Sequence, residues 1–138
     1  MTTQQQATSR RLSREIAFQF LFSRIELSKP PALEDFNHFC ASFGVEAVDY
    51  AWEVVTGVLE KREELDALIT SHSKNWRLER MPRVDLSILR LAAYEIIFRT
   101  DIPKTVAINE AIELGKRFGS EGSGAFINGI LDRLEKKA

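Results

Sequence analysis

Basic and aromatic residues share one ridge of the first predicted helix. On a helical wheel of about 100° per residue, that ridge comprises Arg10, Arg14, Phe18 and Phe22, with Arg11 in the same arc. Guanidinium groups bind phosphate oxygens through paired hydrogen bonds, and aromatic rings stack on unpaired bases. The pattern therefore indicates a surface for single-stranded RNA. It also fits a solvated arginine face whose phenylalanines pack against a neighbouring helix.

A glycine-rich loop before the last predicted helix is the second candidate. Its sequence, residues 119–124, reads Gly-Ser-Glu-Gly-Ser-Gly. Free N–H groups and the helix dipole attract anions at a helix start, but the spacing matches neither a Walker A nor a dinucleotide-binding motif. Ser123 could simply be the N-cap of the helix. Phe126 lies about 100° from the centre of the apolar stripe of that helix, so it could stack on a base or seal a helix junction.

The residues that could catalyse a reaction or hold a metal are few. One cysteine and two histidines argue against a Cys/His zinc site and exclude an intramolecular disulfide. Glu110 and Glu113 could pair as carboxylates, but beside Lys116 and Arg117 they are more typical of a salt-bridged solvent face. No nucleophile elbow is present. We therefore expect a protein that is not an enzyme and has no cofactor or metal.

Helical periodicity runs through the chain, and no segment shows the alternation typical of a strand. The predicted helices cover residues 9–28, 32–43, 45–72, 83–99, 104–118 and 125–136, with a short helical turn or loop over 73–81. Residues 1–8 are polar and predict a disordered tail. The pattern predicts an all-α fold of six or seven helices in a single domain spanning 1–138.

Charge is balanced overall but uneven along the chain. The 138 residues hold 19 Lys+Arg and 20 Asp+Glu, a net charge of −1. Residues 1–28 have four basic and two acidic residues, residues 29–75 four and nine, and residues 76–138 eleven and nine. A purely polyelectrolyte nucleic-acid binder is excluded, so any phosphate backbone must be held by a local patch. No apolar run approaches the roughly 18 residues that span a bilayer, and the N-terminus lacks a signal-peptide core, so we expect a cytoplasmic protein without membrane contact.

Four motifs resemble the NusB family in order and spacing. They are RRLSRE at 10–15, Val-Asp at 84–85 with LRLA at 89–92, Ile-Pro at 102–103 with VAINEA at 106–111, and FINGILD at 126–132. The resemblance covers about residues 9–134, although residues 29–75 match only in length and helical pattern. It implies about seven helices in two three-helix bundles packed roughly perpendicular.

The resemblance also implies an RNA-binding transcription antitermination factor. Such factors bind the boxA element of ribosomal RNA transcripts with NusE, a small-subunit ribosomal protein, in the RNA polymerase antitermination complex. The RNA-binding residues that it implies here are Arg10, Arg11, Arg14, Phe22, Arg90, Gly122, Ser123 and Phe126. Asp85 is implied at the partner-binding surface. Phe22 stands where a tyrosine is common, so stacking is retained without a hydroxyl contact.

Two alternatives and one assembly question stay open. The chain could be a helical interaction module without RNA. It could also be a detached RNA-binding domain, since a similar helical domain precedes a ribosomal RNA methyltransferase, although no S-adenosylmethionine-binding α/β domain is present in this sequence. Because the family includes monomers and dimers, a homodimer is a further expectation, and it could cover the arginine helix.

Overall fold

A computed structural model describes residues 3–27, 29–45, 49–73 and 77–135, with side chains from residue 10 onward. In those ranges it has seven α-helices, a short 3-10 helix and no strand. The α-helices are α1 (Thr3–Ser23), α2 (Leu33–Ser42), α3 (Asp49–Glu60), α4 (Arg62–Ser71), α5 (Arg83–Phe98), α6 (Lys104–Phe118) and α7 (Ser123–Leu131), and the 3-10 helix is Leu78–Arg80. The predicted all-α class is confirmed.

Helix α5 is the centre of the fold. Helices α1, α3, α4, α6 and α7 all pack against it. Side chains on nearly every side of α5 are buried, among them Leu86, Ile88, Leu91 and Ile96, and a helix that is apolar all round must be enclosed by others. Buried side chains from all seven helices join one hydrophobic cluster, so the described elements share a core.

The start of α1 differs from the prediction. The helix begins at Thr3 rather than at the predicted residue 9, so residues 3–8 are helical where the sequence predicts a disordered tail. The added turns consist largely of glutamine and alanine, which cost little in a helix and extend it. Helix α1 ends at Ser23 and is followed by a turn, so the predicted helix is too long at this end. Residues 1–2 and residue 28 lie outside the described residues.

The long helix predicted over 45–72 is two helices, because the chain bends at Lys61 (φ −101°, ψ 11°). The bend lets both α3 and α4 pack on α5. Residues 46–48, at the predicted start, lie outside the described residues. Helix α6 has the predicted bounds, whereas α7 begins two residues earlier than predicted and ends at Leu131.

Candidate nucleic-acid interface

Helices α1 and α6 run in the same direction along one face of the protein. Arg11 and Glu15, one turn apart on α1, pair with Glu110 and Arg117 respectively on α6. Further along both helices, the ring of Phe18 on α1 contacts that of Phe118 on α6. We define the α1–α6 face by seven residues: Arg11, Glu15, Phe18, Phe22, Glu110, Arg117 and Phe118.

Arg11 is the most exposed cation paired on the α1–α6 face. Its side chain is 72% exposed, and its Nε and Nη2 donate to the carboxylate oxygens of Glu110 at 3.2 and 3.1 Å. The hydrogen bond and the negative charge of Glu110 raise the pKa of Arg11 above its usual value. Arg11 is thus a fixed positive charge whose outer donors point to solvent.

Arg10 is exposed beside this face and lies against a core ring. Its guanidinium carbon is 3.9 Å from the ring centroid of Tyr50 on α3. A cation at this distance over an aromatic face is attracted by the ring quadrupole. The contact orients the guanidinium group, and its charge also acts on Asp101, whose pKa is lowered chiefly by Arg99 and in small part by Arg10.

Arg14 does not lie on the exposed face, so its predicted place beside Arg10 and Arg11 is wrong. The residue is 5% exposed, and its Nε donates to both carboxylate oxygens of Glu95 on α5, at 3.1 and 2.9 Å. The Tyr50 hydroxyl donates to the same carboxylate. Burial, followed by the charge of Glu95, raises the pKa of Tyr50. Nη1 of Arg14 also lies 3.5 Å from Glu110 Oε1 on α6. Arg14 therefore ties α1 to α3, α5 and α6, and it has no surface at which to meet a ligand.

The two phenylalanines of the ridge differ in role. Phe18 is 2% exposed, and its ring centroid lies 5.2 Å from that of Phe118 on α6, so the packing interpretation is confirmed for it. Phe22 is 39% exposed and lies 6.2 Å from Phe18 between centroids. Phe22 keeps a free surface on which a base could stack.

The loop between α6 and α7 is anchored to α5 through two buried side chains. Ser123 Oγ donates to Asp85 Oδ1 at 2.7 Å and accepts a hydrogen bond from the Ser120 N–H at 2.9 Å. Ser123 and Asp85 are 1% and 3% exposed, and burial raises the pKa of Asp85 against the opposing effect of the Ser123 hydrogen bond. Gly122, not Ser123, is the N-cap of α7, so the capping prediction is wrong.

This burial also corrects the direct contacts expected of Ser123 and Asp85. Neither side chain has a surface that RNA or a partner could touch in this structure. Both instead fix the loop that carries Gly122, which is exposed, and Phe126, which is half-buried in the first turn of α7. These two residues remain the loop's candidates for ligand contact.

Arg90 lies apart from the α1–α6 face. Its Nε and Nη2 donate to the carboxylate of Asp66 on α4 at 2.7 and 2.9 Å. It lines a groove with Phe20 of α1 and with Arg24, the residue after that helix. Phe20 and Phe22 are about 200° apart around the helix, so the groove and the α1–α6 face occupy different sides of α1.

Arg117 is a candidate that the sequence analysis missed. The sequence predicts a solvent face for it together with Glu113, but Arg117 reaches across to α1, where its Nη2 and Nη1 donate to Glu15 at 3.0 and 3.1 Å. Its guanidinium carbon lies 4.9 Å from the centroid of the Phe118 ring. A basic residue directly before an aromatic one, next to a glycine-rich loop, was the available signal. Glu113 does pair with Lys116, at 3.7 Å.

Among the described residues no helix combines the length and apolarity needed to cross a membrane. Nor do any three or more of their His, Cys, Asp and Glu side chains group in a way that could hold a metal ion.

The sequence of this chain is similar to those of known proteins. The NusB family model matches residues 11–136. The transcription antitermination protein NusB of Geobacter sulfurreducens is 52% identical over 128 residues, which cover 91% of this chain and 93% of the relative.

Two solved structures that contain NusB also match this chain. NusB of T. maritima matches with a TM-score of 0.80 at 38% identity, over 90% of this chain and 88% of the other. A crystal structure of the antitermination factors NusB and NusE with double-stranded RNA matches with a TM-score of 0.80 at 26% identity, over 91% and 94% of the two chains.

Proposed function

The chain belongs to the NusB family, and we propose that it is an RNA-binding transcription antitermination factor that acts with NusE. Its ligand is boxA-type RNA of ribosomal RNA transcripts, bound in the cytoplasm as part of the RNA polymerase antitermination complex. It catalyses no reaction. The observation that carries the proposal is the α1–α6 face, where exposed arginines lie beside an exposed aromatic ring.

Five residues make the RNA contacts in this proposal. Arg10 and Arg11 bind backbone phosphates, Phe22 and Phe126 stack on bases, and Gly122 presents backbone N–H to a phosphate. The buried residues Arg14, Ser123 and Asp85 act through these five by holding α1 and the α6–α7 loop in place. Arg90, paired with Asp66, is left out of the contact set.

The small number of contacts explains why a partner is needed. Two arginines account for two phosphate contacts, and non-specific affinity for a single strand grows with the number of phosphates neutralised. With a net charge of −1, the rest of the molecule adds little long-range attraction. NusE supplies further basic surface for the same RNA.

The test is RNA binding with and without NusE over a range of salt concentrations. We expect boxA RNA to bind more tightly than a scrambled single strand or a duplex of equal length, and more tightly still with NusE. Replacing Arg10 and Arg11 by Gln should weaken binding and lower the salt slope by about 1.4, since each phosphate contact on a single strand contributes about 0.7.

Lys61→Gln/Arg62→Gln is the control, because it removes the same two positive charges from a different place. Both residues lie at the junction of α3 and α4 and are not part of the α1–α6 face. This double variant should leave the slope unchanged. Equal, weak binding of boxA and scrambled RNA in both conditions would instead favour a helical interaction module that does not read RNA.

A further inference from the structure

Each arginine of the α1–α6 face is already bound by a carboxylate of the opposite helix. Arg11 of α1 is held by Glu110 of α6, and Arg117 of α6 is held by Glu15 of α1, each through two hydrogen bonds. The arginine side chains are 72% and 51% exposed, whereas the carboxylates Glu110 and Glu15 are 16% and 19% exposed. The cations therefore lie outside and the anions beneath them. Glu110 has a second, weaker pairing below, with the buried Arg14 at 3.5 Å.

We propose that Arg117 is a further RNA-contacting residue and that Glu15 and Glu110 are internal anions that RNA phosphates must replace. The two carboxylates then set the affinity of the α1–α6 face for RNA. This inference rests on the proposed RNA binding, and it adds to it a residue and a determinant of affinity.

The geometry of the guanidinium group supports this competition. Carboxylates and phosphates accept paired N–H donors in the same forked arrangement. The Nε–Nη2 edge of Arg11 and the Nη1–Nη2 end of Arg117 are both occupied by carboxylate oxygens. A phosphate that uses two donors of the same edge must displace the carboxylate, and one that uses a remaining donor meets a neutralised cation.

The surroundings of Arg117 place it where an RNA strand on this face would pass. Its guanidinium group lies over Phe118, and the rings of Phe118, Phe18 and Phe22 form a continuous row with centroid separations of 5.2 and 6.2 Å. A phosphate at Arg117 would therefore lie beside the aromatic row that ends in the exposed ring of Phe22.

Glu113 provides a matched control. It lies on α6 between Glu110 and Arg117, its side chain is 56% exposed, and its ion pair is with Lys116. Replacing Glu113 by Gln changes the net charge by the same amount as replacing Glu110 or Glu15. The charge of Glu113 acts on Arg11 and Arg117 only as the smallest of the electrostatic causes, so the substitution leaves the two-bond pairing of each arginine with its carboxylate in place.

The experiment measures the affinity of the folded protein with NusE for boxA RNA at fixed salt. Glu110→Gln and Glu15→Gln should each tighten binding about 2- to 5-fold, the range set by an exposed ion pair, whereas Glu113→Gln should change it by much less. Arg117→Gln should weaken binding and lower the salt slope by about 0.7. Thermal unfolding of each variant verifies that it is folded.

Double variants assign the gain to the arginines. The gain from Glu110→Gln should vanish in an Arg11→Gln background, and that from Glu15→Gln in an Arg117→Gln background. Gains that persist there, or an equal gain from Glu113→Gln, would overturn the inference while leaving RNA binding intact. If the unaltered protein with NusE does not bind boxA RNA at all, the proposed function and this inference fail together.

Discussion

Arg14 illustrates how a single residue can support a binding surface without being part of it. Its guanidinium group is buried against Glu95, which is itself fully buried and also accepts from the Tyr50 hydroxyl. Removing one member of a buried ion pair leaves the other charge uncompensated, which is more damaging than removing both. The arginine is therefore a structural requirement of α1.

The first residue-scale prediction concerns that pair. Arg14→Met should lower the free energy of unfolding by about 3–5 kcal/mol, because the Glu95 carboxylate stays buried without its cation. Arg14→Met/Glu95→Gln should recover most of the loss, since the amide oxygen still accepts from Tyr50. Urea unfolding measures both, and a double variant as unstable as the single one would contradict the expectation.

The second residue-scale prediction concerns the pH dependence of Asp85. Burial raises the pKa of its carboxyl above the usual 3.8, so the ionised form is disfavoured in the folded state. Protonated Asp85 therefore adds to the free energy of unfolding. This contribution is fully present below the ordinary carboxyl pKa of 3.8 and is lost as the pH rises through the higher pKa of the folded state.

Asp85→Asn should therefore stabilise the protein at pH 7, because the amide oxygen still accepts from Ser123. That gain should shrink as the pH falls toward 3.5. Urea unfolding between pH 3.5 and 7 measures the difference, with the exposed Asp132→Asn as control. A gain that does not vary with pH would contradict the assignment.

At the scale of elements, the α6–α7 loop depends on one close approach. A Cβ on Gly119 would lie 2.4 Å from Ser123 Oγ and 2.8 Å from the backbone oxygen of Gly115, whereas a Cβ on Gly122 would meet nothing within 4 Å. Gly119→Ala should cost about 1–3 kcal/mol through overpacking, and Gly122→Ala should cost much less. Thermal unfolding of the two variants compares them directly. Equal losses of stability would contradict the prediction, because the loop would then have shifted to accommodate the Cβ at Gly119.

The elements also show what a sequence pattern can and cannot predict. The bounds of α6 follow from Pro103 before it, Gly119 after it and a regular stripe between. The division of α3 from α4 has only a weak signal in the sequence. Five charged residues at 60–64 interrupt the apolar period between Leu59 and Leu65, but such a run also fits a solvent-exposed stretch of one long helix. The bend becomes visible only in the structure, where both helices pack on α5. Arg14 can be buried because it pairs with Glu95, which lies 81 residues later in the chain. A helical wheel of α1 alone does not include that partner.

At the scale of the whole molecule, the fold brings the two basic ends of the chain together. Helix α1 belongs to the first end, and α6 and α7 belong to the last. The resemblance implied the five residues that we propose as RNA contacts, but not the pairing across helices that neutralises Arg11 and Arg117. That pairing depends on which helices are neighbours, and charge counts along the sequence contain no such information.

The contact between Arg10 and the Tyr50 ring has a thermodynamic consequence for binding. A long, flexible side chain loses rotamer entropy when a ligand immobilises it, and this loss weakens association. Arg10 lies 3.9 Å from a ring that is itself fixed in the core by Glu95. Part of that entropy is therefore lost when the protein folds. The guanidinium group of Arg10 is already preorganised when a phosphate binds to it.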